Sequence, residues 1–245
     1  MGLGYALGME IRTQQAQVKT PDGSLPVYVA EPAAPGRYPA VLVIQEIFGV
    51  NGHISDVTRR IAGEGYVALA PDLFYRDGAG KVIPYDQIPK AIEFAMRLKE
   101  DGLVSDLRAC LDFLAASPNV SGAKAGITGF CMGGRIAFLA ACALPDRIAA
   151  AAPFYGGGTV QLLPKADSIR APLQFFFGAL DAHIPQDQVK AIDARLKELG
   201  KDYKIEVYPE ADHGFFCNDR ASYNEKAAAD AWTKLKAFFA THLKG

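Results

Sequence analysis

Apolar residues run almost unbroken through Ala40 to Gln45 (AVLVIQ) and Tyr66 to Ala70 (YVALA), the pattern of parallel strands covered on both faces. Leu173 to Phe177, Ile148 to Tyr155, Tyr203 to Tyr208 and the short Lys124 to Thr128 read as further strands. Between them the apolar period lengthens to that of helices. Ser55 to Gly63, Arg135 to Leu144, Gln186 to Leu199 and Ser222 to Leu243 fit one helix each, and Pro84 to Ser117 fits two with a break at Asp101-Gly102. At the N-terminal end, Gln17 to Lys19 and Pro26 to Ala30 flank Pro21-Asp22-Gly23, so an antiparallel hairpin opens the fold. Strands alternating with helices after such a start predict an α/β class with a doubly wound, mostly parallel sheet. No repeat, linker or low-complexity tract divides it. The expected organisation is a tail over residues 1–10 and a single domain over residues 11–245.

Composition narrows the partners. Half of the 245 residues are hydrophobic and the net charge is -1, which leaves a sizeable core and no footprint for nucleic acid or an anionic membrane. No apolar run is long enough to span a bilayer. The four cysteines lack CxxC spacing and read as free thiols in a reducing, cytoplasmic setting. The Met1 to Met9 stretch lacks the basic start and cleavage site of a secretory signal, and Met9 reads as a possible true start. No histidine pair has metal-ligand spacing, so neither metal nor other cofactor is expected. The expected partner is a small molecule, with the chain as monomer or weak homo-oligomer.

Candidate chemistry gathers where strands end, because ligand sites of open α/β sheets lie beyond the C-terminal ends of the strands. Gly129-Phe130-Cys131-Met132-Gly133-Gly134 has the Gly-x-nucleophile-x-Gly form of a strand-to-helix elbow, with cysteine as nucleophile. Glu46, Asp181 and His213 follow three other strand-like runs. A histidine can take the thiol proton, and an aspartate can fix the histidine tautomer. The chain order nucleophile, acid, histidine therefore points to a Cys131, Asp181, His213 triad, with His53, His183 and His242 as weaker bases. The backbone N–H of Met132 and that of Ile47 are the expected oxyanion donors. Beside the thiol, Glu46 would oppose thiolate formation until substrate arrives.

These pieces resemble the dienelactone hydrolase (carboxymethylenebutenolidase) family of α/β-hydrolases. The matching segments are Gln45 to Gly49, Pro71-Asp72-Leu73, the elbow, Tyr155-Gly156, Gly178 to Asp181 and His213-Gly214-Phe215. The resemblance implies an α/β-hydrolase fold and cleavage of an enol-lactone or ester through a thioester, with Glu46 gating the thiol. It further implies substrate contacts at Arg76 and Tyr155 and a pair of arginines that clamp a substrate carboxylate. Arg76 matches the first; where the second is expected, four residues after the histidine, this chain has Cys217. Either Arg220 reaches in from a shifted loop or that clamp is absent. Two other readings compete. An amidotransferase-like or deglycase-like cysteine enzyme would favour an acid at the position of Phe215. A redox sensor would pair Cys131 with Cys217.

Overall fold

The computed structural model describes residues 9–244; the candidate alternative start involving Met1 to Gly8 lies outside them. In chain order the strands are β1 (Ile11–Thr20), β2 (Gly23–Pro32), β3 (Ala40–Ile44), β4 (Val67–Pro71), β5 (Ala125–Phe130), β6 (Ile148–Phe154), β7 (Leu173–Gly178) and β8 (Tyr203–Tyr208). The helices are α1 (Gly52–Gly63), α2 (Ile88–Arg97), α3 (Glu100–Ala116), α4 (Met132–Ala143), α5 (Gln186–Glu198) and α6 (Glu225–Leu243). One eight-stranded sheet runs in the order β1-β2-β4-β3-β5-β6-β7-β8. The β1–β2 and β2–β4 pairs are antiparallel and the other pairs parallel. Every residue of β3, β4, β5 and β7 is buried, as their unbroken apolar runs require when helices cover both sheet faces.

Local chemistry sets several boundaries. Asn51 caps α1 by accepting the Ile54 N–H at 3.1 Å, and Asn224 does the same for α6 with the Ala227 N–H at 3.0 Å. The side-chain oxygen of buried Gln45 accepts the Leu73 N–H at 3.1 Å, joining the loop after β3 to the loop after β4. Asp72 then organises that second loop by accepting from Phe74 N at 3.1 Å and Gly80 N at 2.7 Å.

Three expectations need correction. The opening hairpin is longer than Gln17 to Lys19 and Pro26 to Ala30, pairing Ile11 with Pro32 through to Thr20 with Gly23. Most of β1 is exposed or partly exposed, so an edge strand held by backbone hydrogen bonds carries little hydrophobic alternation to reveal it. The break between α2 and α3 falls at Leu98-Lys99 and not at Asp101-Gly102. Glu100 and Asp101 instead occupy the first turn of α3, where acidic side chains suit the positive end of the helix dipole. Finally, α4 starts at Met132, three residues before the expected Arg135. A short 3-10 segment over Thr159–Ser168, which no sequence signal announced, follows β6.

Candidate active site

Cys131 sits where β5 becomes α4 and is the residue that caps the helix. Its backbone is held at φ 56, a left-handed conformation that is strained for a residue with a side chain. Strand β6 and the first turn of α4 hold it: the Cys131 N–H donates to the Phe154 carbonyl at 3.1 Å, and its own carbonyl accepts from Gly134 N at 2.9 Å. Glycine at 133 is a steric necessity, because a Cβ there would lie 2.4 Å from the Ile44 carbonyl oxygen and 2.5 Å from that of Gln45. The helix start is thereby pressed against the end of β3, and the thiol is left partly exposed.

His213 reaches this thiol from the loop after β8. Its Nδ1 lies 2.7 Å from Oδ2 of Asp181. The other Asp181 oxygen accepts the His183 N–H at 2.8 Å and the Ile184 N–H at 3.2 Å, so the buried carboxylate is fixed at both ends. Burial of the imidazole opposes its charge, but the hydrogen bonds to Asp181 and to the Cys131 thiol outweigh it and push the His213 pKa up to about 10. The rings of Tyr155 and His183 each meet the His213 ring edge-on at 5.2 Å. The structure thus brings Cys131, Asp181 and His213 together, whereas His53 is buried and its pKa is lowered to about 4 by desolvation.

Glu46 lies two residues past the end of β3 and is fully buried. Burial raises its carboxyl pKa, opposed by the charges of Arg220 and His213. Oε1 accepts from the Arg220 guanidinium at 3.2 Å, while Oε2 is buried without a partner. Gly49, at φ 87, closes the turn after Glu46 at a point where a Cβ would strike the Lys81 carbonyl oxygen at 2.0 Å. Ile47 and Met132, the expected oxyanion donors, pack on the same small apolar cluster of Phe48, Phe74, Ile83 and Ala91. As the first residue of α4, Met132 has an N–H with no acceptor within the helix.

The arginines divide. Arg220 does reach inward: besides Glu46 it lies over the Phe48 ring, with its guanidinium carbon 5.6 Å from the ring centroid. Arg76 is not gathered with these residues. Its guanidinium is held by Asp106 at 2.7 Å and Asp22 at 2.6 Å, so the protein's own carboxylates occupy it. The match of Arg76 to the loop after Pro71-Asp72-Leu73 rested on position along the chain, which does not reveal that Asp106 of α3 waits beside it. Cys217 is buried and contacts the Tyr85 hydroxyl at 3.2 Å; Tyr85 in turn accepts from Asn51 Nδ2 at 2.9 Å. Burial pushes the Cys217 thiol up to about 11. Tyr85 was not among the sequence candidates, since a lone tyrosine before a helix carries no motif. Tyr155 is fully buried at φ 33 with its hydroxyl unpartnered. Phe215, two residues after His213, is buried among aromatic rings, so the acid in contact with the imidazole is Asp181.

Comparison with known proteins places the chain among relatives of the same fold. Residues 25–243 match the model of the dienelactone hydrolase family. A Synechocystis sp. protein named "Putative carboxymethylenebutenolidase" is 43% identical, covering 96% of this chain and 99% of its own. A protein of the same name from Methylorubrum extorquens is 38% identical over 91% of this chain and 79% of its own. The crystal structure of "Putative Dienelactone Hydrolase from Klebsiella pneumoniae subsp. pneumoniae MGH 78578" superimposes with a TM-score of 0.87 at 37% identity, covering 94% of this chain and 99% of that one. The sheet is that of an α/β-hydrolase, and the chain belongs to the dienelactone hydrolase family.

Proposed function

We propose that this chain hydrolyses a carboxylic ester or enol-lactone with Cys131 as the nucleophile. The observation that carries the reading is the partly exposed thiol, held in a strained elbow beside an imidazole that is itself tied to the buried Asp181 carboxylate. His213 takes the thiol proton, and the resulting sulfur anion attacks the carbonyl carbon. The N–H groups of Met132 and Ile47 hold the oxyanion, and the elevated His213 pKa keeps the imidazolium available to protonate the leaving oxygen. Collapse, with that proton delivered by His213, expels an enol or alcohol and leaves a thioester on Cys131 and a neutral imidazole. Water then loses a proton to His213, attacks the thioester carbonyl and releases the acid, returning the proton to sulfur.

Glu46 sets when the thiol reacts in this scheme. An ionised Glu46 opposes negative charge on the sulfur; burial, which raises its carboxyl pKa, and the hydrogen bond from Arg220 hold that carboxylate in check until substrate binds. A cytoplasmic setting accords with the free thiols, and no helix among the described residues is long and apolar enough to cross a membrane. The test is Cys131→Ala assayed with 4-nitrophenyl acetate and an enol-lactone. The reading expects kcat/KM to fall by roughly 10³-fold or more, as loss of a triad nucleophile does elsewhere. Turnover near wild type would sink it.

A further inference from the structure

Arg135 stands one helical turn beyond Cys131, and its backbone N–H donates to the Cys131 carbonyl at 3.3 Å. Side chains on a helix lean toward its N-terminus, which here is the end that carries the thiol. The loop after β6 packs on the backbone of this turn of α4 and against the arginine stem. At Gly156 a Cβ would lie 2.7 Å from Arg135 N, and at Gly158, which holds φ 80, a Cβ would lie 3.2 Å from Arg135 Cδ and 3.3 Å from Nε. The end of the arginine side chain therefore lies against Gly158, and the residue is half-buried.

Its charge is left uncompensated. Arg220 is matched by Glu46 and Arg76 by Asp22 and Asp106, yet among the described residues no carboxylate acts on Arg135, and burial alone pulls its pKa down. A partly desolvated guanidinium with no acceptor is unfavourable unless an anion arrives to meet it. The sheet order places β3 and β6 on opposite sides of β5. Glu46, Ile47 and Arg220 thus flank the nucleophile on one side, and Arg135 with the glycine loop flanks it on the other.

Building on the hydrolase reading above, we propose that Arg135 is a specificity-determining residue that binds a carboxylate of the substrate on the β6 side of Cys131. The site so completed takes an ester whose acyl chain ends in an anionic group. It is distinct from Arg76, whose donors are already taken, and from Arg220, which faces Glu46.

The test compares mono-4-nitrophenyl glutarate with 4-nitrophenyl butyrate in the wild type, Arg135→Gln and Arg135→Lys. Loss of one charge-assisted hydrogen bond predicts that Arg135→Gln lowers the glutarate-to-butyrate ratio of kcat/KM about tenfold, through KM. Arg135→Lys should restore part of the ratio. An unchanged ratio, or an equal fall for both esters, would overturn the assignment. Should the wild type cleave neither ester, the hydrolase reading fails by itself. Calorimetric titration with glutarate then decides on Arg135: weaker binding in Arg135→Gln supports it, whereas equal binding or none in the wild type refutes it.

Discussion

The line from Asp181 through His213 to Cys131 joins three residues from three separate loops, and it dictates a pH signature. Once His213 has taken the thiol proton, Asp181 and the sulfur anion stabilise the imidazolium, so kcat/KM for an activated ester should stay level past the ordinary imidazole range and decline near about pH 10. Asp181→Asn removes the charge that favours imidazolium, so the decline should move down by about 1–3 pH units; a pH profile with 4-nitrophenyl acetate reads this directly. Arg220 poses a separate residue-level problem. Glu46 is 0% exposed and Arg220 only 19% exposed at the side chain. Arg220→Met strands a buried carboxylate and should cost about 3 kcal/mol near neutrality. The sign with pH follows from the raised Glu46 value: the folded state prefers the carboxyl protonated, so the penalty is smallest toward pH 4.5 and grows as pH rises through the folded pKa. Urea unfolding of wild type and variant at acid and neutral pH measures it. Of the site, Cys131, Asp181 and His213 were legible because each ends a strand in a recognisable order. Arg76 was not, since its ion pair with Asp106 joins residues from a loop and a distant helix.

Among the elements, the elbow is where packing and chemistry meet. Gly133 presses against the Ile44 and Gln45 carbonyls, and backbone atoms cannot move aside cheaply. Gly133→Ala should therefore lose about 1–3 kcal/mol of stability and most activity, because any shift of α4 displaces the Met132 N–H from the oxyanion. Gly63, in the last turn of α1, has open space around its Cβ position; Gly63→Ala should be stabilising by about 0.5–1 kcal/mol with activity unchanged. Thermal melts and ester turnover on the two variants make the contrast. The same scale shows where sequence reading falls short. Buried strands such as β3 announce themselves by composition, but the ends of β1 are set by pairing with β2. Likewise Gly102 suggests a break on propensity alone, yet it lies inside α3, near the Arg76 guanidinium.

For the whole molecule, the strand order does the assembling. It sets the ends of β3, β5 and β6 side by side, and the long loop between β8 and α6 reaches back across them, so Glu46 and Arg220 come within hydrogen-bond distance. Alternation of strand and helix is enough to forecast that sheet, and the handedness of its connections leaves little choice of topology. What alternation cannot convey is which charges are neutralised inside the site, because that depends on side chains converging from several loops. All the chemistry argued above passes through one covalent state, an acyl group on sulfur. Mixing the protein with 4-nitrophenyl acetate, quenching in acid within the burst phase and mapping the adduct by peptide mass spectrometry looks for that state. The account predicts an acetyl group on Cys131 that hydroxylamine removes and that Cys131→Ala lacks. Burst turnover with the acetyl group on another residue, or with none on Cys131, would contradict it.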